Sequence, residues 1–344
     1  MSELICVPVP LNMTAAETGL YAPYRTYADP VQRVKYFKNV LITHSGFCIN
    51  RGGLIPECHH DYPHQYEHYL AEASHSYQEA AEDPGRLITL DDDTVYLAIH
   101  HPWFNYYHWL CESIFRLWLV RKKLHRLTLV LPESYRHADF IRGSLEPFHL
   151  KNIYFIPDGK SLLVRNLCLP QLKPICDSYN GRHLRQVNRF YREHAAGVTV
   201  PGVERLYVSR KLASRRKVVN EAELLPLLEK FGFTVFYPEK HSFLEQVAIF
   251  SRVRWLVGEH GSGLTNLLFM PPGGAVLELH KNRTNELDHP SCLFWYMAEA
   301  LDIDYFHQSC GTAGREDYFE GDYHVDPRLF EQNLIALTRK CEAV

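Results

Sequence analysis

Three observations predict an α/β fold for this chain of 344 residues. From Arg205 onward, apolar runs of strand length alternate with amphipathic runs of helix length. Such alternation implies a parallel sheet covered on both faces. Within that half, Gly258-Glu259-His260-Gly261-Ser262-Gly263-Leu264-Thr265-Asn266 separates two apolar runs, Val253 to Val257 and Ala275 to Leu279. Its pattern is that of strand, glycine-spaced turn, short helix and parallel strand. The first half mixes the two periods less regularly, with apolar runs at Val40 to His44, Thr94 to Ile99, Leu127 to Leu131 and Asn152 to Ile156.

Each element of the second half has a local cause. Arg205 to Ser209 is expected as a strand and Glu221 to Phe231 as a leucine-rich helix, with Asn220 as its N-cap and Gly232 as its stop. Phe233 to Phe236 follows as a strand. Ser242 with Glu245 three residues later fits a capping box for a helix to Ser251. The glycine loop and its helix run to Phe269, and Pro271-Pro272-Gly273-Gly274 ends them. A helix over Pro290 to Leu301 and a strand over Ile303 to Phe306 complete the alternation. With right-handed crossovers this half is Rossmann-like.

In the first half, helices are expected over Tyr107 to Lys123 and Arg182 to His194, and a loop-rich insertion over Gly46 to Gly85. Gly197 to Gly202, with Pro201, is the expected interdomain linker. The expected division is residues 1–197, residues 203–325 and a terminal helix in 326–344 that packs back on the first domain.

Composition narrows the function. The apolar fraction is 46 % and the charged fraction 22 %, as in globular proteins. A formal net charge of -3 supplies no bulk attraction for nucleic acid or an anionic membrane. No uninterrupted apolar stretch reaches the roughly 18 residues of a membrane span. Met1 to Leu20 shows neither a positive leader nor a long apolar segment, so the expected compartment is the cytoplasm. The nine cysteines include no C-x-x-C pair, which argues against a disulfide framework and a zinc knuckle. Cys58-His59-His60-Asp61 and His64 match no zinc spacing and are expected in a polar loop, so no metal is expected.

Three groups of residues carry chemistry. On a helix, His108 and Glu112 face the same way, with Asn105 one turn earlier. A histidine braced by a carboxylate suits removal of a proton from a hydroxyl. The alternatives are that Glu112 acts directly, or that His108 only bonds a core carbonyl. Arg210 closes the strand from Arg205, where ligands of open parallel sheets collect, and its planar fork suits phosphate. Arg215 follows in a basic loop. The amides of Gly261, Ser262, Gly263 and Leu264 start a helix and suit a diphosphate. His260 is expected to donate to a phosphate oxygen, Asn266 to fix the loop, and Glu278 to accept from ribose hydroxyls.

Taken in order, Asn105-x-Tyr107-His108-Trp109-x-x-Glu112, Tyr207-Val208-Ser209-Arg210, Val219-Asn220-Glu221, Glu245-Gln246, Gly258-x-His260-Gly261-x-Gly263-Leu264-Thr265-Asn266, Phe269 and Glu278 resemble glycosyltransferase family 61. Ser262 stands where alanine is frequent in that family, and Glu112 where aspartate also occurs. The resemblance implies a GT-B architecture, two Rossmann-like domains facing across a cleft. It implies an inverting, metal-independent transfer from a nucleotide-sugar, with UDP as the expected nucleotide and no cofactor. The implied acceptor is a glycan or lipid-linked glycan, and the absence of a leader points to the bacterial branch that builds capsular or lipopolysaccharide-type glycans. A lipid-linked acceptor is compatible with peripheral attachment at the cytoplasmic face of the inner membrane. The rivals are a non-catalytic glycan- or nucleotide-binding protein of this fold and a GT-B-type sugar-nucleotide epimerase.

Overall fold

The computed structural model describes residues 3–282, 289–313 and 320–340, and it is a mixed α/β protein. Two compact units divide it, one of residues 30–176 and one of residues 1–29 with 177–344. The boundaries therefore fall elsewhere than at Gly197 to Gly202. Helix Gly181–His194 belongs to the second of these units, where Asn188 Nδ2 donates to the carbonyls of Leu268 at 2.7 Å and Met270 at 2.8 Å. The terminal helix Pro327–Lys340 also stays with that unit. Its Phe330, Leu334 and Leu337 join a core with Tyr207, Val257 and Leu277. Residues 341–344 of the expected terminal segment lie outside the described residues.

The unit of residues 30–176 holds a seven-stranded mixed sheet. Its order is Gly53–Leu54, Cys48–Asn50, Val34–Thr43, Ser161–Pro170, Leu87–Ala98, Leu127–Pro132, Asn152–Ile156. The last four strands are parallel, and the first three run in antiparallel pairs. Ser161–Pro170 adds a strand to the expectation. It enters between Val34–Thr43 and Leu87–Ala98 and buries Leu162, Val164, Leu167 and Leu169.

The expected loop-rich insertion is half helix, Pro63–Glu82. This helix turns Tyr69, Ala73, Ser76 and Ala80 inward, one face at helical spacing. Small residues on that face explain why periodicity missed it: the stripe has the right period but little apolar bulk.

The other unit holds a five-stranded, fully parallel sheet in the order Thr234–Phe236, Arg205–Val208, Trp255–Glu259, Ala275–His280, Asp304–Ser309. The chain places its second strand on one side of the first and the third on the other. The switch point of this doubly wound order thus lies between Arg205–Val208 and Trp255–Glu259, where ligands bind outside the carboxyl ends. Helices Glu221–Lys230, Phe243–Phe250 and Leu293–Ala300 connect the strands. The Ser242 capping box forms with Glu245. Asn220 does not cap by its side chain; it bonds Val325, Nδ2 to O at 2.8 Å and Oδ1 from N–H at 3.1 Å. The eight cysteines among the described residues are free, and no helix there is long and apolar enough to cross a membrane.

Candidate functional site

In the seven-stranded unit the candidate residues follow the carboxyl end of Leu87–Ala98. Asn105 is the N-cap of the next helix, its Oδ1 accepting from the His108 N–H at 3.0 Å. It is a structural support of His108. The expected continuous helix is broken in character: Tyr106–His108 leads into a π-helical stretch, Trp109–Ser113, and then Ile114–Val120. Such π insertions often occur at functional sites.

His108 and Glu112 meet as the sequence predicts, Nδ1 to Oε2 at 2.7 Å. The other carboxylate oxygen, Oε1, lies 2.7 Å from His60 Nε2. Lys173 Nζ lies 4.0 Å from Oε1. His60 and Glu112 have no exposed side-chain surface, whereas His108 keeps 13 % of its own. Of the three, His108 alone meets solvent. Burial disfavours the Glu112 anion, but the adjoining His60 and His108 rings, with their N–H groups turned to it, hold its carboxyl well below the usual range. Burial likewise lowers His60, which stays neutral.

Tautomers follow from these partners. An anionic Glu112 only accepts, so His60 carries its proton on Nε2 and His108 on Nδ1. The remaining nitrogen of His108, Nε2, then bears a lone pair. His101 Nδ1 accepts from the Trp103 N–H at 3.0 Å, and burial pushes His101 well below its ordinary pKa. Neutral His101 therefore carries its proton on Nε2.

His60 is the member of this cluster that the sequence obscured. It lay in a stretch expected to be a polar loop, and only packing shows that its ring reaches Glu112. Nitrogen and oxygen atoms of His101, His108 and Glu112 lie within 4.8 Å of one another, as do ligand atoms of His60, Glu112 and Cys176. These sets fit a cation poorly: two N–H groups already occupy the Glu112 oxygens, and a lysine ammonium stands beside them.

In the five-stranded unit, Arg210, His260 and Gly261 stand at the switch point. The glycines serve packing as well as approach. A Cβ at Gly263 would lie 2.8 Å from Val208 Cγ1, and one at Gly258 would lie 3.0 Å from Leu264 Cδ2. At Gly261, φ 158 and ψ -178 lie in a region glycine alone favours, and a Cβ there would lie 2.9 Å from Arg210 Nη1. Arg216 Cζ would be 3.7 Å from the same point. The loop is therefore flanked by two guanidinium groups.

Arg210 is held by the carbonyls of Arg216, from Nε at 3.2 Å, and Arg215, from Nη2 at 3.3 Å. Burial and the neighbouring Arg210 charge lower the Arg216 guanidinium below its usual pKa. The Arg215 side chain instead pairs with Glu320. Position along a basic run could not distinguish Arg216 from Arg215; the positive φ of 57 at Arg216 turns the chain back towards the loop.

Ser262 opens a 3₁₀ helix, Ser262–Phe269. The Leu264 N–H donates to the Gly261 carbonyl at 2.9 Å and is taken, so the open start of the helix belongs to Gly261, Ser262 and Gly263. Asn266 is buried, and its Nδ2 donates to Gln246 Oε1 at 2.9 Å, fixing the loop as expected from sequence.

Glu278 is placed differently from the expectation. Its side chain has no exposed surface, Oε1 lies 2.6 Å from His260 Nδ1, and Oε2 accepts from Tyr305 Oη at 2.7 Å. Both oxygens are engaged, so in this structure it orients His260 and offers nothing to a ribose.

One unit is doubly wound, with guanidinium groups and open amides at its switch point, and the other bears a carboxylate-braced histidine; the class these features define is an α/β protein of two such units. A family model described as Glycosyltransferase 61 matches residues 106–277, half of the 344 residues. The chain belongs to glycosyltransferase family 61.

Among curated proteins it is similar to the "EGF domain-specific O-linked N-acetylglucosamine transferase" of Drosophila melanogaster, 27 % identical over 216 residues, 55 % of this chain and 40 % of that one. It is also similar to the human "Protein O-linked-mannose beta-1,4-N-acetylglucosaminyltransferase 2", 31 % identical over 131 residues, 37 % of this chain and 23 % of that one. The chain thus spans two fifths or less of the length of these relatives. Both are animal proteins, which lends no support to the expected bacterial affiliation.

Proposed function

We propose that the chain is an inverting, metal-independent glycosyltransferase that moves a sugar from a nucleotide-diphosphate donor to a glycan hydroxyl. The double engagement of Glu112 carries this assignment. With both oxygens holding N–H groups, Glu112 cannot itself take a proton from a substrate without losing a partner, and His108 Nε2 is left as the base. Nε2 removes the acceptor hydroxyl proton while that oxygen bonds the donor's anomeric carbon. The bond from that carbon to the diphosphate breaks on the opposite face, and its electron pair leaves with the phosphate.

Charge on the departing diphosphate is met by the amides at Gly261, Ser262 and Gly263 and by Arg210 and Arg216. His260, when protonated on both nitrogens, adds an Nε2–H, with Glu278 balancing its charge. These groups stand where other enzymes place a divalent ion. The proposal includes GT-B organisation, with the five-stranded unit holding the donor and the seven-stranded unit the acceptor. It also includes a UDP-linked N-acetylglucosamine donor, because both relatives are named for transfer of that sugar.

The test is a radiolabelled panel of nucleotide-sugars with the full chain, with and without chelator. Acceptors are bacterial surface-polysaccharide fragments and O-mannosyl or EGF-domain glycoproteins. Transfer with inversion, insensitive to chelator, is expected, and the accepting set fixes the acceptor class. Loss with chelator and rescue by Mn²⁺ contradicts the metal-free mechanism. A donor altered without acceptor indicates an epimerase, and binding without turnover a non-catalytic protein.

A further inference from the structure

The Glu112 oxygen facing away from His108 has a partner whose loss has a directional consequence. We propose that His60 is a positioning residue: its Nε2–H holds Glu112 Oε1 and so sets the basicity of His108. The kinetic half of this inference rests on the proposed role of His108; the structural half does not.

Geometry supports it in three ways. The His60–Glu112 contact is 2.7 Å, as short as the His108–Glu112 contact, and both side chains are fully buried. His60 Nδ1 is buried without a hydrogen-bond partner among the described residues. The opposite tautomer would bury a donor with no acceptor and set a lone pair against the carboxylate, so Nε2–H is the state the site selects. The ring is also boxed in, 4.8 Å from the ring of His101 and 4.9 Å from that of Trp103, so it cannot turn away freely.

The consequence is a division of one negative charge between two imidazoles. A carboxylate raises the pKa of a neighbouring histidine; one that also serves a second N–H raises it less. The other titratable or charged groups around this pair include His101, Lys173, Cys111, Cys176, Arg116, Tyr62 and Tyr107. None of these bonds a Glu112 oxygen within 3.5 Å among the described contacts; only His60 and His108 do. Removing His60's donor therefore returns charge to His108 and makes it more basic.

The experiment uses histidine-labelled full-length protein and two substitutions, His60→Leu and His60→Gln. Leu removes the donor, whereas Gln places an amide N–H near the position of Nε2. Imidazole ¹⁵N shifts of the wild type are expected to show His60 protonated on Nε2 and His108 on Nδ1. His60→Leu is expected to move the His108 imidazole resonances' pH dependence to higher pH than in the wild type. The acidic limb of kcat/KM moves with it, kcat falls more than KM changes, and His60→Gln restores both.

A wild-type His60 carrying its proton on Nδ1 overturns the proposal and needs no variant to fold. So does an unchanged His108 titration in folded His60→Leu. A protein that shows the titration shift but no transfer leaves this inference standing and removes the proposed function instead.

Discussion

His260 Nδ1 lies 2.6 Å from Glu278 Oε1, an imidazole 20 % exposed in front of a carboxylate with no exposure. The pairing repeats in form what His108 and Glu112 make in the seven-stranded unit, 13 % and 0 % exposed at 2.7 Å. In each unit a buried anion fixes one nitrogen of a histidine and leaves the other to the surface. The same device serves opposite ends of the proposed reaction, one taking a proton and one meeting negative charge.

If His260 and Glu278 act as one group, their losses do not add. Glu278→Gln and His260→Ala should each lower kcat by about 10²-fold, as loss of a charge-stabilising donor does, and the double variant should fall no further. Multiplying losses in the double variant would show two independent roles.

The two guanidinium groups at the loop should separate from the third in the run. Arg210→Ala and Arg216→Ala should each cost roughly 10²–10³ in kcat. Arg215→Ala, whose side chain pairs with Glu320, should stay near wild type. Steady-state kinetics on the three variants decides it, and equal losses in all would mean a diffuse basic loop.

Gly263 is a packing position. Gly263→Ala puts a methyl 2.8 Å from Val208 Cγ1 and should destabilise the five-stranded unit by about 1–3 kcal/mol. Val208→Ala makes room for it, so the double variant should recover part of that loss in a thermal melt. A double variant losing the sum of the two would contradict the contact.

Glu259 gives a pH signature. Burial raises its carboxyl to about 7, with the Tyr207 hydroxyl bond and the Arg210 charge opposing. Its Oε2 has no hydrogen-bond partner among the described residues. A carboxyl whose folded pKa exceeds its unfolded value contributes stability that is present below the unfolded pKa and lost as pH rises through the folded one. Melts between pH 5 and 8 should therefore show about 3 kcal/mol of stability declining upward, which Glu259→Gln abolishes. Glu112, held low, has the opposite sign: its contribution is lost as pH falls. A melt flat in both proteins would refute the burial of Glu259 as an acid.

Much of this site was legible in the residues, and the misses have causes. Spacing alone joined His108 to Glu112, because four residues along a helix return to the same face even across a π turn. Strand alternation located the glycine loop and Arg210 at the carboxyl ends of neighbouring parallel strands, since parallel order follows from local periods. His60 was hidden because its contact spans 52 positions, and no local period records a partner that distant. Glu278 was read as ligand-facing from its place near a strand end; only burial and Tyr305 show where its oxygens are spent. Domain limits also escaped, because the Gly- and Pro-rich stretch at Gly197 to Gly202 looks like a linker whether or not the core crosses it.

The central claim is that His108 takes the acceptor proton. The measurement is single-turnover transfer by His108→Ala beside the wild type, with donor affinity measured in parallel. The predicted result is transfer slowed by about 10²–10⁴-fold at unchanged donor affinity. Wild-type transfer by the folded variant would contradict it.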